Sequence, residues 1–162
     1  MSARGRGLPP IFVGAGLSFV GASAGIAVWH ATERFAHGWW LVSFLALVGG
    51  LSQLLLGVGH RAVAARTPGM ATRWSPERQA ALWNAGALFV PLGVLAQTRL
   101  AVVVGSVLLL AALGGSAVDL HRAPTMQGRR ARGWRGAYVM LLWSLVASVL
   151  VGTGLAWDLP WT

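Results

Sequence analysis

Residues 39–59 read WWLVSFLALVGGLSQLLLGVG, twenty-one positions without one Asp, Glu, Lys or Arg. At 1.5 Å per residue, a helix of that length spans about 31 Å, close to the thickness of a bilayer's hydrocarbon core. A helix on the surface of a soluble domain needs a polar face, and this run has none. In lipid every backbone N–H and C=O must be bonded within the protein, which makes a helix the form the run takes. Four more apolar stretches lie at 9–29, 80–97, 100–118 and 136–156, the one at 80–97 being the shortest. No charged residue sits near the centre of any of them. The expected fold is all-α: a polytopic bundle of five transmembrane helices, forming one integral membrane domain over residues 1–162.

Composition agrees. The chain is 56% hydrophobic and only 10% charged, with a mean hydropathy of +0.64. Soluble domains carry about 25% charged residues, so most of this surface faces lipid. The chain has no Cys, which excludes disulfides, thiolate metal sites and a Cys nucleophile. All 13 basic residues are Arg, and Gly, Ala, Val and Leu dominate the rest, a bias typical of GC-rich bacterial genes. Residues 8–29 form an apolar run longer than a signal-peptide core of about 7–15 residues, so a retained first helix is expected.

The net charge of +9 does not point to nucleic acid, because of where the Arg residues lie. Arg4 and Arg6, then Arg61, Arg66, Arg73 and Arg78, then Arg122, Arg129, Arg130, Arg132 and Arg135 fall in three segments that five crossings place on one side. Arg34 and Arg99 lie in the alternate connections. The positive-inside bias then sets the N-terminus in the cytoplasm and the C-terminus outside, in a bacterial plasma membrane. The basic cytoplasmic loops are expected at 61–79 and 121–135. There Arg61, Arg66, Arg73, Arg78, Arg129, Arg130 and Arg132 are candidate contacts for anionic lipid head groups, at about 1 kcal/mol each near the surface.

Local signals place the helix ends. Pro9 and Pro10 suit a first turn, and Ser75 followed by Pro76 reads as a cap and first residue of the third helix. Pro91 is expected to kink that helix. Gln97-Thr98-Arg99 is so short that the third and fourth helices must be antiparallel neighbours. Gly21 and Gly25 offer a small-xxx-small pair for close backbone approach. Trp29, Trp39, Trp40, Trp157 and Trp161 fall at the expected outer interface, and Trp74, Trp83 and Trp134 near the inner one. A faint repeat relates Ala15-Gly16…Phe19-Val20 to Ala85-Gly86…Phe89-Val90, and His60-Arg61-Ala62 to His121-Arg122-Ala123.

Polar groups inside a membrane are costly, and few are present. Gln53 and Asn84 are expected to form interhelical hydrogen bonds, worth about 0.6 kcal/mol on average. Asp119 lies three residues before Arg122, the spacing of a helix-face ion pair. His60 and His121 end helices, where imidazole donors are ordinary. His30 and His37 flank the first outer connection and are the candidate ligands for a metal-bearing group such as haem. No HExxH, GxSxG or phosphate-binding loop occurs, so no catalytic site is expected.

The run from His37 to Val58, HGWWLVSFLALVGGLSQLLLGV, resembles the second helix of haem–copper oxidase catalytic subunits, which starts outside with a histidine and carries recurrent Gly. Trp83-Asn84-Ala85-Gly86 is similar to the start of that family's next helix, and the likeness extends over about residues 8–120. The resemblance implies that His37 corresponds to an axial ligand of a low-spin haem, with His30 or a second protomer supplying the other. The family's copper ligands belong to later helices that have no counterpart here, so oxygen reduction is not implied.

Three functions follow as expectations. The first is a non-enzymatic accessory, assembly or scaffold component, working with a membrane-protein partner or as a homo-oligomer. The second is a haem-binding redox module. The third is a small transporter subunit for a neutral or lipid-like cargo.

Overall fold

The computed structural model describes residues 9–35, 37–64, 75–122 and 129–158. Every regular element among them is helical: α1 (Pro10–Thr32), α2 (Gly38–Phe44), a π-helical segment (Leu45–Leu51), α3 (Ser52–Ala64), α4 (Pro76–Leu95), α5 (Arg99–Arg122) and α6 (Arg129–Asp158). α2, the π segment and α3 follow one another without interruption, so the chain makes five rods. Among the described residues, Pro10–Thr32, Gly38–Ala62 and Arg99–Arg122 are long and apolar enough to cross a membrane. α4 carries Glu77 and Arg78 in its first turn, and α6 is apolar over Gly136–Leu150 among the described residues.

The helices overrun the apolar stretches. α1 continues to Thr32, α3 to Ala64 and α5 to Arg122, while α6 begins at Arg129. Helix thus enters both ends of the expected loops at 61–79 and 121–135, whose residues 65–74 and 123–128 lie outside the described residues. A helix keeps its backbone bonded as it leaves lipid, so it ends where a cap appears and not where hydropathy drops. Ser75 caps α4 by accepting the Arg78 N–H at 3.2 Å, with Pro76 in the first turn, as its sequence indicates. α4 ends in a Schellman turn. Gln97 is left-handed (φ 52°), its N–H reaches Val94 O at 3.2 Å, and the Thr98 N–H reaches Gly93 O at 2.7 Å. That turn folds α5 back along α4 in the most extensive helix pairing of the molecule, while α1 packs along the second rod and α6 on α5.

Two hairpins cross through the same constellation. In the first, a Cβ on Gly16 would sit 3.1 Å from Gly50 O and 3.1 Å from Leu54 Cδ2, and Gly50 faces Val20. In the second, a Cβ on Gly86 would sit 2.7 Å from Gly105 O and 2.7 Å from Leu109 Cγ, and Gly105 faces Val90. Gly16, Val20, Gly50 and Leu54 thus match Gly86, Val90, Gly105 and Leu109, which gives the Ala15–Val20 repeat a structural counterpart. The histidine part of the repeat does not follow. His60 stands ten residues beyond Gly50 and is buried; His121 stands sixteen beyond Gly105 and is exposed. Gly21 and Gly25 also meet nothing within 4 Å and face outward, so the close approach in α1 runs through Gly16 instead.

The π segment is the irregular stretch of the second rod, and side chains bond its surplus carbonyls. Ser52 Oγ donates to Leu47 O at 2.8 Å, Gln53 Nε2 to Gly49 O at 2.9 Å, and Trp83 Nε1 of α4 to Val48 O at 2.9 Å. Just ahead of it, Ser23 of α1 donates to Val42 O at 2.8 Å. This is how irregular backbone is accommodated at membrane depth. It also explains Trp83, which is fully buried in the core and not at an interface. The core joins Phe12, Leu56, Trp83, Val90, Leu109, Leu113, Tyr138 and Leu142. Polarity is inverted relative to a soluble protein: Met140 is 75% exposed, Leu100 71% and Val28 69%, while Gln53 and Gln79 are 0% exposed.

Candidate functional site

The largest gathering of polar side chains lies at the Arg-rich end of the bundle, and all five rods contribute. Gln79, one turn into α4, is its centre. The Gln79 amide nitrogen donates to Ala112 O of α5 at 3.0 Å and to Ser116 Oγ. A carbonyl oxygen accepts only, so this pairing fixes which end of the amide is nitrogen. Gln79 Oε1 therefore accepts, and its partner, His60 Nε2 of α3, carries the proton. His60 is held as the Nε2–H tautomer. Its ring stacks on Phe12 of α1, with centroids 5.4 Å apart and planes at 27°.

Ser116 in turn hydrogen-bonds Tyr138 of α6, which covers Gly59; a side chain at Gly59 would overlap the Tyr138 ring. Asp119, one turn beyond Ser116, is 8% exposed, and its carboxylate acts electrostatically on both His60 and Tyr138. Asp119 faces the interior cluster, while Arg122, its expected helix-face partner, is exposed. Imidazole, phenol and carboxylate thus share one site that is closed over by the helices. Its hydrogen bonds run from rod to rod, which ties the rods together in one register.

A second polar link lies deeper. Gln53 Nε2 donates to Asn84 Oδ1 at 2.8 Å as well as to Gly49 O, bridging the second rod to α4. Gln53 Oε1 is buried and accepts no hydrogen bond.

At the opposite end, His30 is not a loop residue. It lies in the last turns of α1, 9% exposed, boxed by Phe35 and Trp39 with ring centroids at 4.9 and 5.3 Å. The Phe35 N–H makes a long bond to His30 Nδ1, at 3.4 Å, and Nδ1 lies against Gly38, where any side chain would overlap it. Nδ1 thus accepts within the fold, and Nε2 is the ring's other nitrogen. His37 is half-buried and left-handed (φ 64°) at the cap of α2. His30 and His37 thus stand on either side of the connection between α1 and α2. Among the described residues, no group of three or more His, Asp or Glu side chains is placed to hold a metal ion.

Of the expected head-group contacts, Arg61 and Arg78 are exposed. Arg66 and Arg73 lie outside the described residues, as do the side chains of Arg129, Arg130 and Arg132. The sequence signal that was available for the cluster is the α4 cap. With Ser75 as cap, Gln79 and Trp83 fall one turn apart on a single face, so the tryptophan's burial carries the glutamine inward. No family model, no curated protein and no solved structure matches this chain.

Proposed function

We propose that the chain is a five-span protein of a bacterial plasma membrane, N-terminus inside and C-terminus outside, that acts as a non-enzymatic accessory, assembly or scaffold component. The observation that carries the reading is the inverted polarity: large apolar side chains outward on every rod, and Gln53, Gln79, Ser116 and Asp119 inward. An exposed apolar surface this extensive marks a lipid or protein interface. The interior polar groups bond one helix to another around a closed cluster, which serves assembly of the bundle and leaves no open polar cleft for a substrate among the described residues. A scaffold protein also presents uncovered small-residue positions to neighbours, and Gly14, Gly21 and Gly25 of α1 are of this kind.

The test is mild-detergent purification of the full chain from haem-replete cells. The proposal expects a colourless protein that co-purifies stoichiometrically with a larger membrane partner or with itself. A Soret band lost in His37→Ala would replace it with the haem-binding reading. A lone chain with catalytic turnover would overturn it.

A further inference from the structure

An apolar cleft of about 340 Å³ opens between α5 and α6, outside the polar cluster. Its α5 wall is the stripe Leu110, Gly114, Ala117 and His121, the spacing of one helix face, and its α6 wall includes Leu142 and Trp143. Among the described residues nothing fills the space above Gly114, where an added Cβ meets no atom within 4 Å. Trp143 stands 69% exposed along the rim. The volume is in the range of small-molecule sites, which are mostly apolar with a few polar groups at one end.

Here the polar end is basic. His121 closes the cleft and Arg122 follows it, both exposed. From His121 to Leu110 is eleven residues, or about 16 Å of helix. That is roughly half of a 30 Å hydrocarbon core, so a groove that starts at the interfacial Arg122 ends near the midplane. A channel one leaflet deep, apolar along its length and positively charged at its mouth, has the dimensions and charge of a phospholipid. We propose that this cleft is a binding site for one acyl chain of an anionic phospholipid, with the head group on His121 and Arg122. The proposal rests on the membrane reading above and names a partner for it. Neither His121 nor Arg122 is among the loop residues expected above to contact head groups.

The test uses the full chain in phosphatidylcholine nanodiscs with a trace of phosphatidylglycerol bearing a diazirine in its acyl chain. Irradiation is expected to label the α5 and α6 peptides around Gly114 and Trp143. Unlabelled phosphatidylglycerol should displace the label about fivefold better than phosphatidylcholine, as one head-group cation requires. Gly114→Leu, which fills open space and leaves the helix signal unchanged in circular dichroism, should cut labelling at these peptides several-fold. His121→Gln with Arg122→Gln should abolish the head-group preference and leave acyl labelling in place. Labelling spread evenly over all rods, equal displacement by both lipids, or a cleft covered in a cross-linked second copy would each overturn the lipid site. Failure of the chain to enter nanodiscs would instead overturn the membrane reading on which it rests.

Discussion

Gln79 shows how one side chain settles an arrangement that its neighbours leave open. Its two amide hydrogens go to α5, so its oxygen must take the hydrogen of His60, and three rods are joined by one residue. In Gln79→Leu, Ala112 O keeps its helical bond and Ser116 keeps Tyr138, but the His60 Nε2–H is stranded. One stranded buried donor costs about 1–3 kcal/mol, and a loss of that size is expected in reversible unfolding of the micellar protein. In Asn84→Leu, Gln53 retains its bond to Gly49 O, so the loss should be smaller, near the 0.6 kcal/mol typical of interhelical bonds in membranes. Equal losses in the two variants, or a gain for Gln79→Leu, would remove Gln79 from its central place.

Among the helices, glycines of identical appearance in the sequence have opposite roles. A methyl on Gly86 would sit 2.7 Å from backbone Gly105 O, whereas one on Gly21 meets nothing. Gly86→Ala should therefore destabilise the bundle by about 1–3 kcal/mol through overpacking. Gly21→Ala should stabilise it by about 0.5–1 kcal/mol, because Ala loses less backbone freedom in a helix. Thermal unfolding of both in one detergent checks the sign reversal.

The α4 start offers a pH-dependent counterpart. The Glu77 carboxyl is held below its ordinary value of 4.5, first by a hydrogen bond from its own backbone N–H and then by the Ser75 hydroxyl. The folded helix end thus favours the ionised form. That stabilisation is present above 4.5 and is lost as pH falls through the lower folded value. The difference in Tm between wild type and Glu77→Gln should shrink on acidification, and Ser75→Ala should cost about 1 kcal/mol at neutral pH.

Helices, the α4 cap and the tight turn at Gln97 were legible because each depends on a few adjacent residues. The crossing glycines of the repeat were legible only in part, since Gly16 and Gly86 stand out by their neighbours while their partners lie elsewhere in the chain. The π segment and the cluster were not legible. A π turn differs from an α turn by one residue of register, and Gly49-Gly50 permits it without requiring it. The cluster draws single residues from five separate rods, so local spacing points to Gln79 alone, one turn from Trp83, and not to its partners. His30 illustrates the same limit: hydropathy ends near Trp29, whereas the helix continues to Thr32 and carries the imidazole inward.

For the molecule as a whole, three rods meet the length and hydropathy of a membrane span outright among the described residues, while α4 does not. α4 has charges in its first turn, but beyond them its buried face meets α5 and its outer face shows Leu88, Phe89, Leu92 and Leu95. A helix so placed crosses lipid alongside a partner more readily than alone. If all five cross, Arg34 and Gln97 lie outside, and Arg61 and Arg78 inside. Because the chain has no Cys of its own, single replacements report cleanly. In intact cells, a membrane-impermeant maleimide should modify Arg34→Cys and Gln97→Cys, all four positions being exposed in the structure. Arg61→Cys and Arg78→Cys should react only after permeabilisation. If Gln97→Cys is shielded while Arg34→Cys reacts, α4 does not cross, and the five-span topology is overturned. That outcome would also return the His60–Gln79–Asp119 cluster to an interfacial setting, where water replaces the helix-to-helix bonds as the alternative partner.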